Sequence, residues 1–284
     1  MRTYYDIYSE ARARLRKAGI GEYSLEARLL LAFAANKTPT DFYRDISMYC
    51  TEEYEREALI LVSRRENGEP VAYLTGSWEF YGLPVTLTPD VLIPRADTET
   101  LVEAVLEELA ATDSPRVLDL CCGSGCIGLA IAKNARGAPR VVCADISQKA
   151  LRIAAGNAAD NGIKTPFLCV RADALSAPPP NLGMFDAIMC NPPYIPTPEL
   201  EGLDASVKDY EPMLALDGGP DGLDFYRPVC SMWTSLLKPG GLLAFECAEG
   251  QSGDIIRIAE NTGLRHVKTV KDTGNTERAI LFTK

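Results

Sequence analysis

From Ala96 onward the chain alternates short apolar runs with segments of helical period, and the connections between them are short. Arg116–Leu120, Arg140–Asp145, Phe167–Val170 and Ala187–Cys190 read as strands rich in Val, Ile, Leu and Cys. Between them, Cys126–Lys133 reads as a helix, and Ser147 caps another that runs to Asn161. Ahead of them, Asp97-Thr98-Glu99 reads as the cap of a helix ending near Leu109. Strands alternating with helices over short connections predict an α/β fold, a parallel sheet with helices on both faces.

The chain before this region has a different grammar. Ile7, Ala11, Leu15 and Ala18 follow a helical period, with Thr3 as cap and Gly19 as stop. Ser24 precedes the apolar segment Leu25–Ala35, and Thr51-Glu52-Glu53 opens a further helix. Residues 1–67 are therefore expected to form a small all-helical domain. From Gly68 to Gly82, aromatic and β-branched residues lie between glycines, the pattern of a β-hairpin. The expected organisation is helical 1–67, a hairpin linker 68–84, and an α/β domain 85–284. A length of 284 residues is comfortable for two domains. No apolar run approaches the length of a membrane span, and Met1-Arg2-Thr3-Tyr4-Tyr5-Asp6 lacks the apolar stretch of a secretion signal. A cytoplasmic protein with no membrane partner is expected.

The formal net charge of −10 argues against a protein that grips nucleic acid by its backbone. The nine cysteines are odd in number, and several sit in apolar segments, as reduced thiols used as small hydrophobes do. Cys121-Cys122-Gly123-Ser124-Gly125-Cys126 does not have the spacing of a metal site, and the single histidine, His266, is remote in sequence. No metal is expected.

The same segment places glycines between a strand and the helix that follows it. Gly123-Ser124-Gly125-Cys126-Ile127-Gly128 matches G-x-G-x-x-G, a weak signal when it stands alone. Its surroundings sharpen it. Asp145 ends the next strand about twenty residues on, where an acid can accept from ribose hydroxyls. Asp173 and its neighbour Ala174 follow the third strand, where they can meet an adenine edge. Asp119, Cys121, Cys122, Gly123, Ser124, Gly125, Asp145, Asp173 and Ala174 are thus candidates to hold an adenosine-bearing cofactor at the carboxyl ends of consecutive strands.

The fourth strand ends on Asn191-Pro192-Pro193-Tyr194. Proline ends a strand because it cannot donate to the ladder. Pro193 also restricts Pro192, leaving its carbonyl free to accept. The Asn191 side-chain oxygen and the Pro192 carbonyl then form two adjacent acceptors suited to an NH₂ group. Tyr194 offers a flat face for a planar group. Asn191, Pro192, Pro193 and Tyr194 are the candidate substrate residues, with Asn191 also beside the cofactor.

The loop, the strand-end acids and N-P-P-Y together resemble an S-adenosylmethionine-dependent N-methyltransferase of the Rossmann-like class. Further segments resemble the release-factor glutamine methyltransferases (PrmC or HemK). They are Arg65–Gly76 with Glu79-Phe80-Tyr81-Gly82, Val91–Glu99, and Glu211-Pro212 with Ala215–Gly219 and Asp221-Gly222-Leu223. The resemblance runs from the helical start to the last strand. It implies a small helical N-terminal domain joined by a hairpin to the methyltransferase domain, and S-adenosylmethionine as cofactor. It implies methylation of the glutamine side-chain nitrogen (N5) in the Gly-Gly-Gln motif of class-1 peptide chain release factors, with the helical domain docking that partner. A monomer that does not bind nucleic acid directly is expected. Two pairs of residues depart from the family: Cys121-Cys122, where glycine and threonine are more usual, and Cys247-Ala248 after Glu246, where isoleucine and glycine often stand. The alternative is an adenine N6-methyltransferase acting on DNA or RNA, because N-P-P-Y suits an exocyclic amino group equally well. Such an enzyme needs a basic, aromatic groove for a flipped base, and the helical region carries Glu10, Glu22, Glu26, Glu52, Glu53, Glu55 and Glu57.

Overall fold

The computed structural model describes residues 2–284, which fall into two units: the chain up to Ser77 with Asp204–Tyr210, and Trp78–Leu203 with Glu211–Lys284. The first unit contains α1 (Tyr4–Lys17), α2 (Tyr23–Ala34), α3 (Pro39–Arg44), α4 (Glu52–Glu66) and α5 (Val71–Thr75). Ile7, Ala11 and Leu15 recur on one buried face of α1 and share a core with Leu30, Leu31, Phe42, Ala58 and Val62. The Thr3 hydroxyl accepts from Asp6 N–H, and the Asp6 carboxylate accepts from Thr3 N–H at 2.8 Å, a reciprocal cap on α1. Thr51 caps α4 one way, its hydroxyl accepting from Tyr54 N–H. Ser24 does not precede α2. It lies in its first turn, where its hydroxyl meets Tyr8 Oη at 3.1 Å. Residues 204–210 belong to this unit, and Tyr210 Oη donates to Asn67 O at 3.0 Å.

The stretch read as a hairpin from Gly68 is helical in its first part. Val71, Ala72, Tyr73 and Leu74 are all buried, so α5 satisfies their backbone locally, and it ends at Gly76 in the left-handed region. Strands β1 (Ser77–Phe80) and β2 (Leu83–Thr86) then pair as a two-stranded sheet.

The second unit contains α6 (Glu99–Glu108), β3 (Arg116–Leu120), α7 (Cys126–Asn134), β4 (Arg140–Asp145), α8 (Gln148–Asp160), β5 (Phe167–Arg171), β6 (Phe185–Cys190), β7 (Leu237–Glu246), β8 (Arg265–Lys271) and β9 (Glu277–Thr283). The seven-stranded sheet has the order β5-β4-β3-β6-β7-β9-β8. Val117 to Leu120 are all buried, because both faces of the central strand are covered. Val117 packs in a cluster with Leu129 and Ala130, whereas Leu118 and Leu120 share the opposite face with Ile188, Trp233 and Phe245.

The expected parallel sheet holds for β5, β4, β3, β6 and β7. β9 departs from it, lying antiparallel to both β7 and β8. A tight turn at Asp272–Asn275 joins β8 to β9, and strands joined so closely can only run antiparallel. The sequence of connections reverses at β3. β4 and β5 lie to one side of it, β6 and β7 to the other, which opens a crevice at the carboxyl ends of β3 and β6. Among the described residues, no helix is long and apolar enough to cross a membrane.

Candidate active site

A cleft occupies that crevice. The loop after β3 forms one wall through Cys121, Cys122, Gly123 and Ser124. Cys122 N–H donates to Ala144 O at 3.1 Å, and Gly125 N–H to Cys122 O at 2.7 Å, so the loop folds back over the end of β4. Gly125 has φ +77°, and a Cβ there would stand 2.8 Å from Ala154 Cβ on α8. Only glycine meets both demands. At Gly123, by contrast, nothing beyond its two chain neighbours lies within 4 Å of where a Cβ would be, so that side of the backbone is open to a ligand. Cys121 adopts φ +60°, a conformation strained for a residue with a Cβ.

The acids differ in role. Asp145 lines the cleft and accepts from Gly123 N–H at 2.9 Å and Ser147 N–H at 2.8 Å. Burial raises its pKa, opposed by these backbone donors. The Ile146 N–H adds to them, and the carboxylate keeps acceptor capacity beyond these bonds. Asp173 also lines the cleft, and it braces the next turn by accepting from Leu175 N–H at 2.9 Å. The Trp233 indole donates to Ala174 O at 3.1 Å and holds that turn from behind. Asp119 does not line the cleft. It is fully buried beneath the loop, where Oδ2 accepts from Gly128 N–H at 2.9 Å and Oδ1 has no partner. Burial pushes its acid up to about 7.

The opposite wall carries the turn after β6. Asn191 and Pro193 line the cleft, with Pro192 between them in the turn and Tyr194 after them. Asn191 Nδ2 donates to Thr98 Oγ1 at 3.4 Å, which leaves Oδ1 as the accepting end of the amide. The Pro192 carbonyl takes no part in the backbone hydrogen bonds of the turn. Tyr194 does not offer its ring to the cleft: its hydroxyl donates to Glu246 Oε1 at 3.2 Å. Glu246 ends β7 and is 1% exposed. Its pKa is pushed up to about 6 by burial, against the Thr98 hydroxyl, Arg278 and the Tyr194 hydroxyl, which favour the charged form.

Two further segments brace this turn, one ahead of it in the chain and one after it. Ile195 N–H donates to Leu216 O at 3.0 Å, and Gly218 N–H to Ile195 O at 2.9 Å. A Cβ on Gly218 would stand 2.7 Å from Tyr194 Cα, so only glycine permits the approach. Gln251 Nε2 donates to Tyr194 O at 2.9 Å. The buried Glu211 carboxylate accepts from Ile93 N–H at 3.1 Å and from the Arg95 guanidinium, which ties Val91–Glu99 to Glu211-Pro212. Val91, Leu92, Pro94 and Thr98 from the first segment, and Pro212, Leu214 and Ala215 from the second, line the cleft. Their sequence motifs carried no chemistry of their own. The signal for them lay only in the family resemblance. Asp97 is not a helix cap: a 3₁₀ turn at Ala96–Thr98 leads into α6, and Asp97 pairs with Arg278 at 3.3 Å.

Comparison with known proteins bears on both units. Residues 6–76 match the family described as the PrmC N-terminal domain, and residues 95–201 the one described as the methyltransferase small domain. The release factor glutamine methyltransferase of Clostridium acetobutylicum is 37% identical over 98% of this chain and 98% of its own length. That of Moorella thermoacetica is 40% identical over 96% and 95%. Among solved structures, a methyltransferase from Pyrococcus furiosus superposes with a TM-score of 0.52 at 16% identity, covering 78% of this chain and 96% of that one. This last likeness is one of fold alone.

Proposed function

The chain belongs to the release factor glutamine methyltransferase family, and on that premise we propose that it methylates class-1 peptide chain release factors. The acceptor is the side-chain nitrogen (N5) of the glutamine in their Gly-Gly-Gln motif, and the methyl donor is S-adenosylmethionine. The observation that carries this reading is the orientation of Asn191. With Nδ2 engaged by Thr98, its oxygen is the end left to accept from a primary amide. The donor fits the opposite wall. The open backbone at Gly123, the remaining acceptor capacity of Asp145, and Asp173 with Ala174 would hold an amino-acid tail, a ribose and an adenine in turn. When bound, S-adenosylmethionine supplies a methyl group on a positively charged sulfur.

The chain's own residues do the remainder by position and charge. An amide nitrogen is a poor nucleophile because its lone pair is shared with its carbonyl. Asn191 Oδ1 and the Pro192 carbonyl accept its two N–H groups and turn the lone pair toward the donor side of the cleft. Their partial negative charge stabilises the positive charge that develops on nitrogen. Holding two reactants aligned is worth effective molarities of about 10⁵ M or more. Tyr194 is a positioning residue here, its ring held by Glu246. The helical unit is proposed to dock the release factor.

The test is methyl transfer from labelled S-adenosylmethionine to a purified release factor, with mass mapping of peptides. Label is expected on the glutamine of Gly-Gly-Gln and absent when alanine replaces it. Label entering DNA or RNA instead would move the assignment to a base amino group.

A further inference from the structure

The arginines of the helical unit fall into two sets. Arg2, Arg14, Arg44, Arg64 and Arg65 each pair with a carboxylate. Among the described residues, no carboxylate pairs with Arg12, Arg16 or Arg28 within 4.0 Å. Glu10 and Glu26, two residues before Arg12 and Arg28, pair instead with Arg2 at 2.9 Å and Arg65 at 2.6 Å. The three unpaired arginines lie on one face of α1 and α2. The Arg12 guanidinium carbon stands 5.4 Å from the centre of the Tyr8 ring and 5.8 Å from that of Tyr23, and Arg16 stands 5.9 Å from Tyr23. Tyr8 Oη meets Ser24 Oγ at 3.1 Å, and Arg28 follows Ser24 by one turn of α2. Tyr5, one turn before Tyr8, and Leu25, one turn before Arg28, are exposed. The Nε atoms of Arg12 and Arg28 are buried without a hydrogen-bond partner, while the Nη ends of both forks stay accessible.

A guanidinium laid against aromatic rings is ordered before a partner arrives, so less side-chain entropy is lost on binding. Its planar fork matches a carboxylate, and exposed aromatic and apolar side chains beside it add contact area. We infer that this face of α1 and α2 takes an acidic segment of the protein substrate, its carboxylates seated on Arg12, Arg16 and Arg28. The inference rests on the proposed docking of the release factor by the helical unit. A nucleic acid suits the face less well. A protein that grips a phosphate backbone makes on the order of six to ten contacts with it, and this chain has a formal net charge of −10. The Tyr8 and Tyr23 rings, on which a base would stack, already carry arginines.

The experiment measures binding of the full chain to a purified class-1 release factor by calorimetry, without cofactor. Methyl transfer to the same factor, and to a short peptide carrying Gly-Gly-Gln, is followed in parallel. Arg12→Gln, Arg28→Gln and Arg16→Glu should each raise the Kd for the factor about tenfold. KM should rise with it while kcat stays within about threefold. Arg16 is exposed, so its variant guards against a folding defect. Arg12→Lys keeps the charge without the fork and should fall between Arg12→Gln and the wild type. The peptide lacks the acidic segment, so its turnover should not change. Arg56→Gln, on an exposed position of α4 outside the set, should bind as the wild type does. Kd values for Arg16→Glu and Arg28→Gln within about twofold of the wild type, an equal loss in Arg56→Gln, or a loss on the peptide as large as on the factor would each overturn the inference. So would a short single-stranded RNA that binds the wild type more tightly than the factor does and is released by the same substitutions. A factor that binds, is held less tightly by these variants, and yet gains no methyl group would sink the proposed function and leave the docking face standing.

Discussion

The two walls of the cleft are built in opposite ways. The wall after β3 is held by its own neighbourhood. Gly123 and Asp145, which bond across it, are 22 residues apart, within one strand–helix–strand unit. The wall after β6 has braces at a similar separation, from Leu216 and Gly218, but its side chains are held from afar. Asn191 meets Thr98 across 93 residues, and Tyr194 meets Glu246 across 52. Each arrangement suits the task that the proposed function gives it. A loop that cradles a ligand by its backbone needs mainly the right dihedral angles, which local sequence supplies. An amide that must present its oxygen and not its nitrogen needs a partner on one end, and nothing in the turn itself provides one.

This contrast can be broken most sharply at Asn191. Asn191→Ala should lower kcat by roughly 10²–10³-fold, the usual cost of removing one group that stabilises developing charge. Cofactor Kd by calorimetry should change little. An equal loss of cofactor binding would mean that the two walls are one site. Next comes the brace. Gly218→Ala forces a Cβ against the Tyr194 backbone, and overpacking of this kind costs about 1–3 kcal/mol. It should reduce methyl transfer more than cofactor binding. The reverse order would show that the segment from Glu211 to Gly222 supports the loop side instead.

The third effect is on stability, and it belongs to the loop wall. The acid of Asp119 is raised from 3.8 to about 7 by burial, so the folded state holds its proton longer than the unfolded state. That group's contribution to stability therefore falls as pH rises through this window. Asp119→Asn retains an acceptor for Gly128 N–H without the charge. Its Tm should gain on the wild type by roughly 10 °C between pH 4 and pH 8. A gap that stays constant with pH would mean that the buried charge is not the cause. The smallest effect is expected at Cys121. Cys121→Gly relieves a left-handed backbone strain of about 1 kcal/mol, part of which glycine's added freedom in the unfolded chain offsets. A slight rise in Tm with unchanged methyl transfer is expected from denaturation and activity measured side by side.

How far the sequence could be read follows the same division. The strands Arg116–Leu120 and Arg140–Asp145, and the Ser147 cap of α8, stand where the pattern of apolar runs placed them. The hairpin β8–β9 was not legible, because pairing between strands is a matter of which edges meet. The run Val71–Leu74 has the composition of a strand but buries all four side chains as a helix, so packing overrode propensity there. Asp97 looked like a cap because caps are local. Its partner, Arg278, lies at the far end of the chain.

The sequence alone determined the α/β grammar, the glycine loop and the acids at the strand ends, because each depends on residues close enough to act through backbone geometry. Only the tertiary structure decided that Asp119 lies beneath the loop, that Tyr194 turns its hydroxyl to Glu246, and that Thr98 orients the Asn191 amide. The physical reason is that burial and the direction of a side-chain hydrogen bond depend on partners brought from distant strands and loops, and no local pattern encodes where those partners will stand.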